Sequence, residues 1–428
     1  MEKIINDTRL MIQVCDMYYN QKLTQFDIAE KLEISRPTVS KILAAALENN
    51  IVTITVKGVG KVFDKKGSAY IKGLVDEAVR TGRRVAVVKG NYEISEAIRL
   101  PSNFTIILED AHLRLADGSH TNIFVNENNE TPEGKTPEGT NTNISIIGRG
   151  KAILDGGEMN DVNERVPVAE RTAPLYKNNL ILFSNVNGFK VSGLKCINQR
   201  WWAMAYTYCR NGYIGNIDFC ADDRHRDTDG NIQHGLFRNG RRLDILVRNA
   251  DGCDIREGCQ NIVIENITGF TEDDSVALTG LQGKFEETFR VEGLSPDIAF
   301  IKIRNIRTAA YCTNLRLLSQ GGGVPLHDID IDGVYDCSEG SPHMNKGNFT
   351  VRLGDNYQYN RRRHATEDEV YNISIKNVYG RGQAVLAFAG GMKNVTLYGI
   401  EAAEGTPMFH TWDPTKPGES YEATHKQK

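Results

Sequence analysis

From about residue 185 onward, apolar and polar positions recur in one short unit: apolar, any residue, Asn or Gly, apolar. It occurs at Val191–Leu194, Ile214–Ile217, Ile264–Ile267, Ile303–Ile306, Ile331–Val334, Ile375–Val378 and Leu397–Ile400. Its third position holds Gly193, Asn216, Asn266, Asn305, Gly333, Asn377 and Gly399, and no other residue type. Gly and Asn tolerate a left-handed backbone, so this position predicts a tight bend on every repeat. The alternation before it, as in Asn261-Ile-Val-Ile-Glu-Asn-Ile and Phe300-Ile-Lys-Ile-Arg-Asn-Ile, predicts short strands with one buried face. Copies 22, 23 or 28 residues apart predict single coils, whereas gaps of 39, 44 and 50 predict inserted loops or a missed copy. An antiparallel sandwich has no reason to keep one bend chemistry in register over 200 residues, so the pattern predicts a mainly β solenoid.

The first 55 residues follow a different period. Residues 8–23 predict a helix with apolar positions Met11, Ile12, Val14, Cys15, Met17, Tyr18 and Tyr19. Thr24 then caps a short helix, Gln25–Leu32, with Ile28, Ala29 and Leu32 inward. After a turn at Glu33-Ile34, Ser35 is an N-cap, and Pro37 sits in the first turn of the next helix, where its missing N–H costs little. That helix runs from Arg36 to about Glu48 and buries Val39, Ile42 and Leu43. A short helix, a tight turn and a second helix make the helix-turn-helix plan, whose second helix enters the DNA major groove. Arg36, Thr38, Ser40 and Lys41 are the residues expected to reach phosphates and base edges. Residues 1–60 hold seven Lys/Arg and seven Asp/Glu, so the module lacks a basic field, and DNA binding would require a homodimer.

Next, Gly67 to Gly82 reads as an amphipathic helix before strands separated by Gly, Pro-Ser and Asp-Ala turns. A solenoid has an open apolar end, and a helix across it is the usual cover. The domain boundaries expected are 1–56 for the helical module and 57–428 for the coil, with 57–115 as its cap and first coils.

Composition changes this picture little. A net charge of −4 over 428 residues, with 12 prolines, excludes a disordered or strongly basic chain. No run of about 18 apolar residues predicts a membrane span. Met1-Glu-Lys-Ile-Ile-Asn-Asp lacks the apolar core of a secretory signal, so a cytoplasmic location is expected. Eight dispersed cysteines fit reduced, buried thiols, and Cys253 with Cys259 lacks the second pair that a zinc site requires. No metal or other cofactor is expected.

The chemistry concentrates in Asn249-Ala250-Asp251-Gly252-Cys253-Asp254 and Glu272-Asp273-Asp274. If one coil takes 22 residues, Asp251 lies one rung from Asp273 and Asp274. Three crowded carboxylates repel one another, so at least one keeps a proton near neutral pH and can act as an acid. Clustered acids are what glycosidic cleavage requires, and an inverting pair must be about 6.5–9.5 Å apart to admit water. Trp202 could stack on a sugar ring or lie in the core. The insert from Asp222 to Asp229, with His225 and the nearby His234, could line a cleft or form a solvated loop.

Two resemblances sharpen these expectations. Tyr18-Tyr19, Thr24-Gln25, Ile28-Ala29, Leu32, Ile34-Ser35-Arg36-Pro37-Thr38-Val39-Ser40 and Ile51-Val52 resemble the DNA-binding module of SorC/DeoR-type sugar regulators. Glu33 departs from that pattern, which usually has Gly in the turn. Residues from about 60 to 415 resemble pectin-lyase-like right-handed parallel β-helices, and the carboxylates resemble those of the polygalacturonase family, glycoside hydrolase family 28. Its Asn-Thr-Asp motif appears as Asn249-Ala250-Asp251, with Gly252 and Asp254 following, and its Asp-Asp motif as Asp273-Asp274. The resemblance implies that Asp273 protonates the leaving oxygen, that Asp251 and Asp274 activate water with inversion, and that Asn249 and Asp254 face substrate. The family histidine should fall near Tyr311-Cys312-Thr313, where there is none. Its Arg-Ile-Lys clamp has two candidate matches, around Arg316 and around Arg352, and both lack the Lys.

Two function classes remain open at this level. One is a hydrolase of a uronide-containing or related oligosaccharide or polysaccharide, carrying the helical module. The other is a transcription regulator whose coil binds a glycan without cleaving it. A lyase would need a calcium cluster and a placed base, which the sequence does not supply.

Overall fold

The structure is a computed structural model and describes residues 7–49, 51–52, 62–157, 168–221, 237–238, 241–242, 250–341, 348–355, 359 and 362–412. The chain divides into two compact units, Met1–Gly60 and Lys61–Lys428.

Among its described residues, the smaller unit contains three α-helices. Asp7 caps the first, Thr8–Cys15, which continues as a π-turn over Asp16–Asn20. Gln25–Lys31 begins in a reciprocal capping box between Thr24 and Asp27, and Arg36–Glu48 follows the turn. Met11, Val14, Ile28, Val39, Ile42 and Ala46 form its core. Ile12 is 55% exposed rather than packed inward, because it lies beside Met11 on a helix that has only one covered face. Glu33, where the sequence departs from a turn glycine, has φ +53°. Ser35 caps the third helix through its hydroxyl, which accepts from the Thr38 N–H at 3.3 Å and lies 2.7 Å from Thr38 Oγ1.

The larger unit is a parallel β-solenoid. Among the described residues, the strands of an eleven-stranded and a ten-stranded sheet alternate along the chain, except that Asn141–Arg149 and Ile153–Asp155 both join the larger, and every pairing within these two sheets is parallel. The long strands carry the predicted bends. Gly193, Asn216, Asn266, Asn305, Gly333, Asn377 and Gly399 all have positive φ, between +51° and +88°. Asn266 donates to Asn216 Oδ1 at 3.2 Å, and Asn305 donates to Asn266 Oδ1 at 2.8 Å, so the bend side chains form a ladder across coils.

The inward positions stack by type. Ile214, Ile264, Ile303 and Ile331 are register partners on four successive coils and are fully buried. The repeat thus builds one continuous apolar core, with each coil covering the last. Helix Gly67–Arg80 closes the first coil. Its Ile71, Val75 and Ala78 are buried in the same core, and Ser68 Oγ accepts from the Ser95 and Glu96 N–H groups. Six of the eight cysteines are buried free thiols, while Cys312 is partly exposed and Cys337 exposed. Among the described residues, no helix is long and apolar enough to cross a membrane.

Candidate active site

The ten-stranded sheet positions the carboxylates. Its strands Met204–Thr207, Cys253–Ile255, Val276–Gly280, Thr313–Ser319 and Phe349–Leu353 are neighbours in that order. Cys253 and Ile255 face the core, which turns Asp254 to the opposite face by the two-residue period of a strand. Asp251 lies just before its strand, and Asp273 and Asp274 lie just before theirs, so the stacking of coils brings the three to one end of the sheet.

Backbone bonds hold them in register. Gly252 N–H donates to the Asp274 carbonyl at 2.9 Å, and Ser275 N–H to the Thr313 carbonyl at 2.9 Å. The coil therefore advances 23 residues from Asp251 to Asp274, against the expected 22. Gly252 is required here, since a Cβ would lie 2.4 Å from the Ser275 carbonyl oxygen. Asp274 N–H donates to Asp251 Oδ1 at 2.9 Å. The Thr313 hydroxyl donates to Asp274 Oδ1 from the next coil.

Burial orders the carboxylates electrostatically. Asp251 and Asp254 are 4% and 0% exposed, whereas Asp273 and Asp274 are partly open. Burial holds the Asp251 carboxyl well above the ordinary range, and the charges of Asp254, Asp273 and Asp274 push it further. Burial likewise pushes Asp254 up to about 8, against the pull of Arg256, whose Nη1 lies 3.5 Å from Asp254 Oδ1. Asp274 is raised by burial too, but Arg316, the Thr313 hydroxyl and Arg352 all draw it back. The cluster thus holds at least one proton near neutral pH beside a carboxylate that cations favour in its ionised form.

Arg316 and Arg352, alternatives at the level of sequence, are direct register partners on adjacent strands. Together with Asp254 and Ala277 they form one column along the same face. Arg352 stacks on Trp412, with its guanidinium 4.6 Å from the ring centroid. Arg256 and Glu286 were not anticipated as parts of the site. Arg256 pairs with both Asp254 and Glu286, and the strand alternation Asp254-Ile255-Arg256 was the available signal.

Trp202 does not offer an open ring face. It is 4% exposed, stacked on Trp201 at 3.7 Å and covered by Arg256 at 4.5 Å, because the helix Lys284–Phe289 contributes Phe285 and Phe289 to an apolar cluster around it. Asn249, His225 and His234 lie outside the described residues. In the helical unit Arg36, Ser40 and Lys41 are exposed, and Thr38 is half-buried with its hydroxyl engaged by Ser35. One ligand atom each of Asp273, Asp274 and Cys312 lies within 4.8 Å of the others, close enough to share a cation. The charges of Arg316 and Arg352 on Asp274 oppose such a cation.

No protein-family model matches the chain. A stretch of 51 residues, 12% of this chain, is 41% identical to a sorbitol operon regulator of Klebsiella pneumoniae, of which it spans 16%. Among solved structures, a 1,3-α-1,4-β-D-galactose-4-sulfate-3,6-anhydro-D-galactose-2-sulfate 4 galactohydrolase aligns with TM-score 0.56 and 10% identity, over 86% of this chain and 92% of its own. An iota-carrageenase of family GH82 from A. fortis aligns with TM-score 0.53 and 12% identity, over 86% of this chain and 94% of its own. At such identity these likenesses establish the fold, a parallel β-helix, which two glycan-cleaving enzymes share with this chain.

Proposed function

We propose that the coil is a glycoside hydrolase acting on an acidic, uronide-containing or related oligosaccharide. The observation that carries this reading is the carboxylate cluster itself: Asp251, Asp254 and Asp274 with raised proton affinity, beside the half-open Asp273 and the Arg316–Arg352 pair. Asp273 donates a proton to the leaving glycosidic oxygen. Asp274, drawn toward its ionised form by the two arginines, takes the proton of the attacking water. Asp251 shares that task in this reading and also fixes the Asp274 backbone, whose N–H donates to its Oδ1, while burial and the neighbouring carboxylates raise its proton affinity.

The oxygens of Asp273 and Asp274 lie within 4.8 Å, short of the ~6.5–9.5 Å of most inverting pairs. That spacing is nearer the ~5–5.5 Å of retaining pairs; inversion is proposed on the family resemblance, with Asp251 and Asp274 activating the water, and the first anomer released decides between the two outcomes. Arg316 and Arg352 are 5% and 1% exposed, so they favour an acidic sugar through the positive charge they bring beside Asp274 rather than as an open clamp. The test is reducing-sugar release from a panel of uronide, sulfated and neutral oligosaccharides, with proton NMR of the first anomer released. Asp273→Asn should lower the rate about 10²–10⁴-fold. Absence of release by the native protein on every substrate overturns the hydrolase reading in favour of a glycan-binding coil.

A second reading concerns the helical unit, and the 51-residue likeness to a sugar-operon regulator favours it. We propose that helix Arg36–Glu48 reads DNA through Arg36, Ser40 and Lys41, with Thr38 reserved for the cap. Selection from a pool of random duplexes should enrich one motif, and Arg36→Ala should abolish that enrichment. Lys41→Ala should weaken binding to all sequences and reduce the salt slope by about 1. A pool that shows no enrichment removes this reading.

A further inference from the structure

A separate cavity opens at the far end of the ten-stranded sheet, where the strands leave it. Its volume is about 460 Å³, within the ~300–1,000 Å³ range of small-molecule sites. Tyr208, Glu257, Gln282, Arg290 and Leu294 contribute to its walls. Between Asp251 and Glu257 the chain runs through the strand Cys253–Ile255, which puts this cavity on the order of 20 Å from Asp251 and about 10 Å from Asp254.

Its chemistry is unlike that of the cluster. Glu257 is 3% exposed, and its Oε2 has no hydrogen-bond partner. A buried carboxylate oxygen without a donor is unfavourable; Oε2 is closed to solvent as the side chain stands, so a ligand hydroxyl satisfies it after a small shift of the Glu257 side chain. The Tyr208 hydroxyl hydrogen-bonds the same carboxyl, and Arg290 Nε stands 3.8 Å from Glu257 Oε1 with its side chain 47% exposed. Gln282 at the rim is exposed and offers both a donor and an acceptor. Val291, Leu294, Pro296, Val324 and Pro325 give the remaining wall an apolar surface. Two carboxylates, Glu257 and Glu292, stand against one guanidinium, so the lining is net negative and disfavours anions.

We propose that this cavity binds a neutral polyol, a monosaccharide or an alditol. The buried carboxylate accepts its hydroxyls, Arg290 and Gln282 bond its rim, and the proline and aliphatic wall receives its C–H face. The site is independent of the carboxylate cluster, and its ligand carries no acid group.

The test uses the full chain and calorimetric or saturation-transfer titration with D-galactose and D-glucitol. D-galacturonate serves as the anionic probe and ethanolamine as the amine. Saturable binding of a neutral polyol is expected, with D-galacturonate at least tenfold weaker. Glu257→Gln should lose at least tenfold in affinity. Leu294→Trp, a half-buried position at the rim, should do the same by filling the cavity, and it guards against a folding defect at Glu257. Asp273→Asn should leave this binding unchanged. The proposal is overturned if no neutral polyol binds, if ethanolamine binds in preference, or if Asp273→Asn abolishes the binding while Leu294→Trp spares it.

Discussion

At the scale of single residues, the proton on the buried carboxylates has a consequence for stability. Asp254 moves from an ordinary 3.8 to about 8 on folding, chiefly through burial. A raised folded value means that the fold binds the proton more tightly than the unfolded chain does. Its stabilising contribution is complete below about pH 4 and is lost as pH rises through 8, with an upper bound on the order of 5 kcal/mol. Asp251 shifts in the same direction. The coil should therefore melt at progressively lower temperature between pH 4 and 9, and Asp254→Asn should flatten that slope. An equal slope in the variant means that Asp254 is ionised throughout. Asp251, Asp273 and Asp274 were legible in the sequence as chemistry, but their separate proton affinities were not. Those depend on which carboxyl is covered and which faces Arg316 or Arg352, and these neighbours are 42 or more residues away along the chain from Asp274.

At the scale of elements, the bend ladder is the part of the fold that the sequence announced most directly. A second column with positive φ was not anticipated. It includes Asn103, Asn143, Asn211, Asn261, Asp328, Asn372 and Asn394, and it also contains Phe300. Asn211 donates to Asn187 at 2.7 Å and Asn394 to Asn372 at 3.0 Å, so it too is tied across coils. Its register is less regular in residue type, and Phe300 breaks the Asn/Gly/Asp rule that would have exposed it. In the first column, backbone conformation and side-chain bonding can be separated at Asn266, which bonds both Asn216 and Asn305. Asn266→Gly keeps the left-handed backbone and loses the bonds, whereas Asn266→Ala loses both. Denaturant unfolding should show Ala costing about 1–2 kcal/mol more than Gly, since left-handed backbone carries a penalty of that order for a residue with a Cβ. Equal losses would assign the whole effect to the ladder bonds.

At the scale of the whole molecule, two cores serve two units of unequal size. The core of the helical unit includes Ile42, which is fully buried, and none of its members belongs to the core of the coil. Calorimetry should resolve a minor transition of about 40 kcal/mol, at roughly 0.7 kcal/mol per residue, apart from the main one. Ile42→Ala, at a cost of about 2–5 kcal/mol, should lower the minor transition by about 10–40 °C or abolish it, and leave the main one in place. A shift of both together would show that the units melt as one.

The solenoid, its bends, the helical module and the grouping of Asp251 with Asp273 and Asp274 were determined by the sequence alone. Each is written in local period or residue type, and the backbone enforces those within a few residues. Three features were decided only by tertiary structure. Arg316 and Arg352 became one column rather than alternatives because strands 36 residues apart pair in register. Trp202 became a buried partner of Arg256 because a helix some 80 residues further on covers it. The cavity at Glu257 exists because loops from successive coils converge there. Stacking sets which distant residues share a dielectric and a charge environment, and no local pattern encodes that neighbourhood.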